Sequence, residues 1–115
     1  MFDRLFGRAS SGIASISPRE AWEKYSGATH ETALIDVREA WEFARGHAKG
    51  ARNIPLSQLS NRIKDIPTNK DILLICQSGH RSMQAAEFLK QRGIERVWNI
   101  SGGTTVWRMS QTPME

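Results

Sequence analysis

The chain has 115 residues, 39% hydrophobic and 24% charged, a balance that fits one globular domain with a real core and excludes a disordered polyelectrolyte. Its 16 Lys and Arg against 12 Asp and Glu leave a formal charge of +4, but the basic residues are scattered, so nucleic acid is not an expected partner. No apolar run approaches the roughly 20 residues of a membrane span, and the one cysteine forbids an internal disulfide.

In chain order, residues 1–12 read as a flexible or loosely docked tail. Asp3 and Arg4 interrupt its apolar residues, so it is not a signal peptide, and a cytoplasmic address is expected. Ile13–Ile16 is a short candidate strand. Ser17-Pro18-Arg19-Glu20 then reads as a helix start, with Ser17 as cap, Pro18 at the first helical position and Glu20 as capping-box partner. That helix should run to about Tyr25 and stop near Gly27. Ala33–Val37 is a buried strand, Ala40–Ala44 a short helix stopped by Gly46, and Ala51–Ile54 a short strand inside a turn ended by Pro55. Leu56, Leu59, Ile63 and Ile66 recur at helical spacing and predict a third helix up to Pro67.

The run Ile72-Leu73-Leu74-Ile75 is too short for a helix and reads as a strand buried on both faces. Cys76 therefore falls at the carboxyl end of a buried strand, where open α/β sheets place their ligands. Gln77 to Arg81 must turn and open a helix, whose inward stripe is Ala85, Ala86, Phe88 and Leu89 and whose stop is Gly93. The first amides of such a turn have no intrahelical partner and can point at an anion. A thiolate is such an anion, and the helix end with Arg81 and His80 should hold the Cys76 pKa below its free value of about 8.5. Val97–Ile100 is the last strand, Gly102-Gly103 opens a short final helix, and residues 111–115 are a C-terminal tail. Strands alternate with helices without a hairpin signal, which predicts an α/β fold: a five-stranded, mostly parallel sheet flanked by helices on both faces.

Three separated motifs resemble one family. Asp36-Val37-Arg38-Glu39 with Glu42, Gly46-His47, Gly50-Ala51 and Asn53-Ile54-Pro55 resemble the signature of the rhodanese (thiosulfate sulfurtransferase) domain. Cys76 to Ser82 resembles its active-site loop, and Gly102-Gly103 with Trp107 its closing motif. The resemblance spans Ile13 to Trp107. Ala48 and Thr104-Thr105 depart from the family pattern, at positions not expected to touch the chemistry. Phosphatase and arsenate-reductase relatives carry five residues between cysteine and arginine, a cradle for a tetrahedral oxyanion; four lie between Cys76 and Arg81, which matches the sulfurtransferase branch.

The resemblance implies a two-step transfer with Cys76 as nucleophile. Its thiolate takes the outer sulfur of thiosulfate or a related small anionic donor, and cyanide, a small thiol or a protein thiol removes it. No cofactor or metal is implied. The loop from Gln77 through Ser78, Gly79, His80 and Arg81 to Ser82 would hold the persulfide. Arg81 would bind the donor's anionic end, Gly79 would permit the tight turn, and Ser82 would either cap the helix or face the sulfur. His80 either adds positive potential or faces solvent. Asp36 and Arg38 lie on the neighbouring strand end in a supporting part, Asp36 as a structural ion pair and Arg38 either structural or near the site. His47 should bond backbone in its own turn. Trp22 and Trp98 belong to the core or its edge; Trp41 and Trp107 are candidates to wall the pocket, with core packing the default for each. A monomer or weak dimer is expected. The alternatives are a persulfide carrier that serves a partner protein and, further off, a phosphatase-like relative.

Overall fold

Ile72, Leu73, Leu74 and Ile75 have no solvent-accessible surface, as expected of a strand buried on both faces. A computed structural model describes residues 12–115. The expectation for the N-terminal tail thus falls, but for residue 12, outside the described residues. The elements are β1 (Ala14–Ile16), α1 (Pro18–Gly27), β2 (Thr32–Asp36), α2 (Ala40–Ala44), β3 (Arg52–Asn53), β4 (Asp71–Ile75), α3 (His80–Gln91), β5 (Val97–Ile100) and α4 (Gly103–Met109). They follow the predicted order closely. Ser17 and Glu20 form the expected capping box at the start of α1: the Glu20 amide donates to Ser17 Oγ at 3.1 Å and the Ser17 amide to Glu20 Oε1 at 3.0 Å.

The five strands form one sheet in the order β1-β5-β4-β2-β3, and every pairing is parallel. The alternation of side chains along β4 divides the core in two. Ile72, Leu74 and Cys76 face Ala85, Ala86 and Leu89 of α3, together with Leu59 and Ile66. Leu73 and Ile75 face Ala21 of α1 and Trp107 of α4. Helices therefore cover both faces, and each fully buried Leu or Ile contributes about 1.5–3 kcal/mol by leaving water. Asp36 lies opposite Ile75 in the β2–β4 register, and the Val37 amide donates to Ile75 O at 2.9 Å. Residues 36–38 and the Cys76 loop consequently emerge side by side at the carboxyl rim of the sheet.

Two expectations are corrected, and the open choice for Trp107 falls to its default, the core. The helix predicted up to Pro67 is instead two 3₁₀ turns, Leu56–Gln58 and Ile63–Asp65. Leu59 and Ile66 are still buried, and Leu56 and Ile63 still pack on the core. The apolar spacing thus served burial, while Ser60 and Asn61, which compete for backbone hydrogen bonds, interrupt the helix. Trp107 does not wall a pocket: it is fully buried, packs edge-on against Trp22 with ring centroids 6.3 Å apart, and donates from Nε1 to Pro113 O at 2.8 Å. The residues assigned to a C-terminal tail lie against the domain. Met114 bridges Ala48 in antiparallel fashion, and His47 and Glu115 exchange both backbone hydrogen bonds, at 3.0 and 2.8 Å. This edge pairing satisfies backbone groups of the 46–50 turn that the sheet leaves open. Among the described residues no helix is long and apolar enough to cross a membrane.

Candidate active site

Cys76 leaves β4 with its side chain 1% exposed, under the first turn of α3. Gly79 caps that helix at φ +104°, a left-handed conformation natural to glycine, which aims the next amides back at the sulfur. Sγ accepts from the Gly79 amide at 3.1 Å and the Ser82 amide at 3.3 Å. Ser82 Oγ lies 3.3 Å from Sγ. The cradle is therefore made of donors converging on one sulfur atom, the arrangement suited to an anion.

Burial is the largest single influence on the Cys76 pKa and pushes it up. The Ser82 hydroxyl and the Ser82, Gly79 and Ser78 amides push it down and together prevail, so the thiol is more acidic than an ordinary cysteine. The expected direction is met, but hydrogen bonds rather than the Arg81 and His80 charges lead it. Ser82 Oγ also donates to Asn99 Oδ1 at 2.5 Å, and one hydroxyl proton cannot serve both partners. The neutral thiol fits S–H donating to Oγ while Oγ donates to Asn99. The thiolate requires the hydroxyl to turn to sulfur. Ser82→Ala removes that donor and leaves burial less opposed, so the midpoint of Cys76 alkylation against pH should move upward. At neutral pH the variant should react roughly three- to tenfold more slowly with iodoacetamide, because a hydrogen bond to a charged group contributes about 1.5–3 kcal/mol and the stronger thiolate recovers part of the rate.

The outer side of the loop is held by α4. The Thr104 amide and hydroxyl donate to Cys76 O at 2.8 and 3.1 Å. The Thr105 amide donates to Gln77 O at 3.2 Å, and Gln77 Nε2 returns a bond to Thr105 Oγ1 at 2.9 Å. A Cβ at Gly103 would run into the Cys76 and Gln77 carbonyls, so the helix reaches the loop only with glycine there. Thr104 and Thr105, set apart from the chemistry on sequence grounds, are thus what fixes the loop.

Two ion pairs frame the rim. Asp36 and Arg38 are 0% and 3% exposed. Arg38 Nε contacts both Asp36 oxygens at 3.0 Å, and its NH2 reaches Asp36 Oδ2 at 2.8 Å and Gly46 O at 2.9 Å. Asn53 Nδ2 ties this turn down by donating to Asp36 O and Arg38 O. Arg81 forms a two-pronged bridge to Glu42, NH1 to Oε1 at 2.7 Å and NH2 to Oε2 at 3.0 Å. The Arg81 hydrogen bonds, offset in part by burial, lower the Glu42 pKa to about 2, so the pair is intact across the neutral and mildly acidic range. His80 is exposed, its Nδ1 3.3 Å from Ser78 Oγ. His47 bonds Phe43 O through Nδ1 at 2.9 Å and stacks on that ring. A pocket of about 240 Å³ borders the loop through Gln77 and is lined by Arg38, Trp41, Glu42, Arg45 and Arg108; Trp41 is the tryptophan that walls it. Among the described residues no three His, Cys, Asp or Glu side chains converge as metal ligands.

The structure brings every sequence-singled residue, Cys76 through Ser82 with Asp36 and Arg38, to this one rim. Sequence reasoning gave no role to Asn99 or Glu42. Asn99 had a signal: a lone amide in an apolar strand, on the same face as buried Val97, must find a buried partner. Glu42 stood out only as part of the signature motif, and its pairing was hidden because its partner lies 39 residues away.

Residues 17–110 match the model of the rhodanese-like domain, and the chain belongs to that family. It is 45% identical over 85 residues to the uncharacterized protein YqhL of Bacillus subtilis, covering 74% of this chain and 68% of that one. It is 35% identical to a protein of Allochromatium vinosum named sulfurtransferase, covering 75% and 80%. It is also 30% identical to the thiosulfate sulfurtransferase GlpE of Actinobacillus pleuropneumoniae serotype 3, covering 92% and 96%. Among solved structures it is similar to a rhodanese-related protein from Thermoplasma volcanium, with TM-score 0.79, 30% identity, and 90% and 98% coverage. The fold and family are those of the rhodanese-like domain, and two of these relatives bear the name sulfurtransferase.

Proposed function

We propose that this domain moves sulfane sulfur from thiosulfate or a related donor to cyanide or a thiol through a persulfide on Cys76. The observation that carries the reading is the sulfur cradle itself: Sγ meets two amides and a hydroxyl in a loop with four residues between Cys76 and Arg81. The Cys76 thiolate attacks the outer sulfur of thiosulfate. A Cys76–S bond forms, the S–S bond of the donor breaks, and sulfite leaves with the bonding pair. The terminal sulfur of the persulfide then carries the charge, and the loop amides stabilise it without reorganising. Cyanide or a thiolate attacks that terminal sulfur, and Cys76 departs as the thiolate. Arg81 keeps a third of its side chain exposed beside Glu42, and its remaining N–H groups would bind the donor's anionic end. The relative named thiosulfate sulfurtransferase supports thiosulfate as donor.

The test is intact mass after incubation with thiosulfate. The wild type should gain one sulfur, lose it to cyanide and release thiocyanate, while Cys76→Ser gains nothing. An unreactive Cys76 that neither loads nor alkylates near neutral pH would overturn the reading. Hydrolysis of an aryl phosphate without sulfur loading would instead favour the phosphatase branch.

A further inference from the structure

Three large hydrophobic side chains are exposed among the described residues: Trp41 at 63%, Val106 at 36% and Met109 at 77%. All three stand on α2 and α4, the helices that bracket the Cys76 loop. Trp41 lines the pocket that Gln77 borders. Val106 packs where Gly102 would carry a Cβ, and the Gly102 amide in turn lies 3.5 Å from the Cβ position of Gly79. Thr105, Val106, Arg108 and Met109 form the exposed face of the helix whose first turn holds the loop. A sulfur anion of a few atoms would use the cradle and has no need of Val106 and Met109. A larger partner would cover them.

The charge on this face indicates what. Arg45 and Arg108 make no ion pair among the described residues; Arg45 lies over the Trp41 ring, 6.0 Å from its centroid. Glu42, the acid between them and the loop, is taken up by Arg81. Glu39 stands at the opposite end of α2 from Arg45. Unpaired guanidinium groups beside exposed Trp and Met side chains match the residue types enriched in protein interfaces, and their charge calls for carboxylates opposite.

We propose that the α2–α4 face docks a protein thiol set in an acidic, partly apolar patch, and that this protein takes the sulfur from Cys76. The inference rests on the sulfur-transfer reading for its chemistry but not for its test. In the transfer, the partner thiolate attacks the outer sulfur of the Cys76 persulfide, the S–S bond breaks, and Cys76 leaves as thiolate. The partner gains the persulfide, and no oxidant or reductant is required.

Docking is measured without sulfur chemistry, on the Cys76→Ser protein, by fluorescence anisotropy of labelled synthetic peptides. One peptide carries serine in the cysteine position among leucines and glutamates; its counterpart replaces the glutamates with lysines. The glutamate peptide should bind at least about tenfold more tightly, with an advantage that shrinks as salt screens it. Arg45→Glu combined with Met109→Ser should remove most of that advantage. Lys70→Glu makes the same charge change at the other end of the sheet, before β4, and should leave it nearly intact. Equal binding of the two peptides, or an equal loss from Lys70→Glu, would overturn the proposal and identify diffuse attraction to a basic protein. Failure of the wild type to load sulfur would count against the persulfide reading alone, because the binding measurement does not pass through it.

Discussion

Asp36→Ala should destabilise the domain by about 3–5 kcal/mol, the usual cost of stranding one member of a buried ion pair. Asp36 has no exposed surface and accepts from the Arg38 side chain and from the Arg38 amide at 2.9 Å. Without it the guanidinium keeps only the Gly46 carbonyl and is too enclosed to regain water. The measurement is urea unfolding at neutral pH, with the midpoint falling at unchanged slope. Asp36→Ala with Arg38→Leu should recover a large part of the loss, because removing both charges leaves nothing unpaired. If the single variant costs less than about 1 kcal/mol, the pair is not what holds the β2 end in place. The loop would then also be expected to stay put, since residues 36–38 and 76–82 share the rim.

Gly103→Ala should have the second large effect, on stability and reactivity together. Gly103 sits at φ +56°, and a Cβ there meets the backbone of Cys76 and Gln77. The backbone strain costs about 1–3 kcal/mol, and the collision about as much again. Relief requires α4 to back away from the loop, which breaks the Thr104 and Thr105 bonds to the Cys76 and Gln77 carbonyls. Cys76 would then lose the fixed geometry of its amide donors, and its alkylation at neutral pH should slow by about tenfold or more. Gly93→Ala is the matched control, at φ +87° with nothing within 4 Å. It should show the strain cost and leave Cys76 reactivity unchanged. Equal effects on reactivity would mean that α4 does not set the loop.

Both expectations concern residues that sequence reading ranked below the loop. The difference follows from range. Features governed by neighbours in the chain were legible: the Ser17 capping box, the apolar runs that became β2 and β4, the turn at Gly79, and the loop length from Cys76 to Arg81. Each is decided by local backbone chemistry and by the alternation or density of apolar residues. The Leu56–Ile66 stretch shows the limit even there, because burial at helical spacing is met equally by two separate turns.

Sequence alone determined the fold class and the place of Cys76, at the end of a buried strand before a loop that opens a helix, since apolar runs alternating with helical stretches have few other arrangements. Only the tertiary structure decided what surrounds the sulfur. Asn99 reaches Ser82 because β5 lies beside β4, Glu42 reaches Arg81 because α2 and α3 start at one rim, and Trp107 is buried because α4 packs on α1. Contacts between residues distant in the chain depend on how the elements pack, and no local pattern of residues encodes that packing.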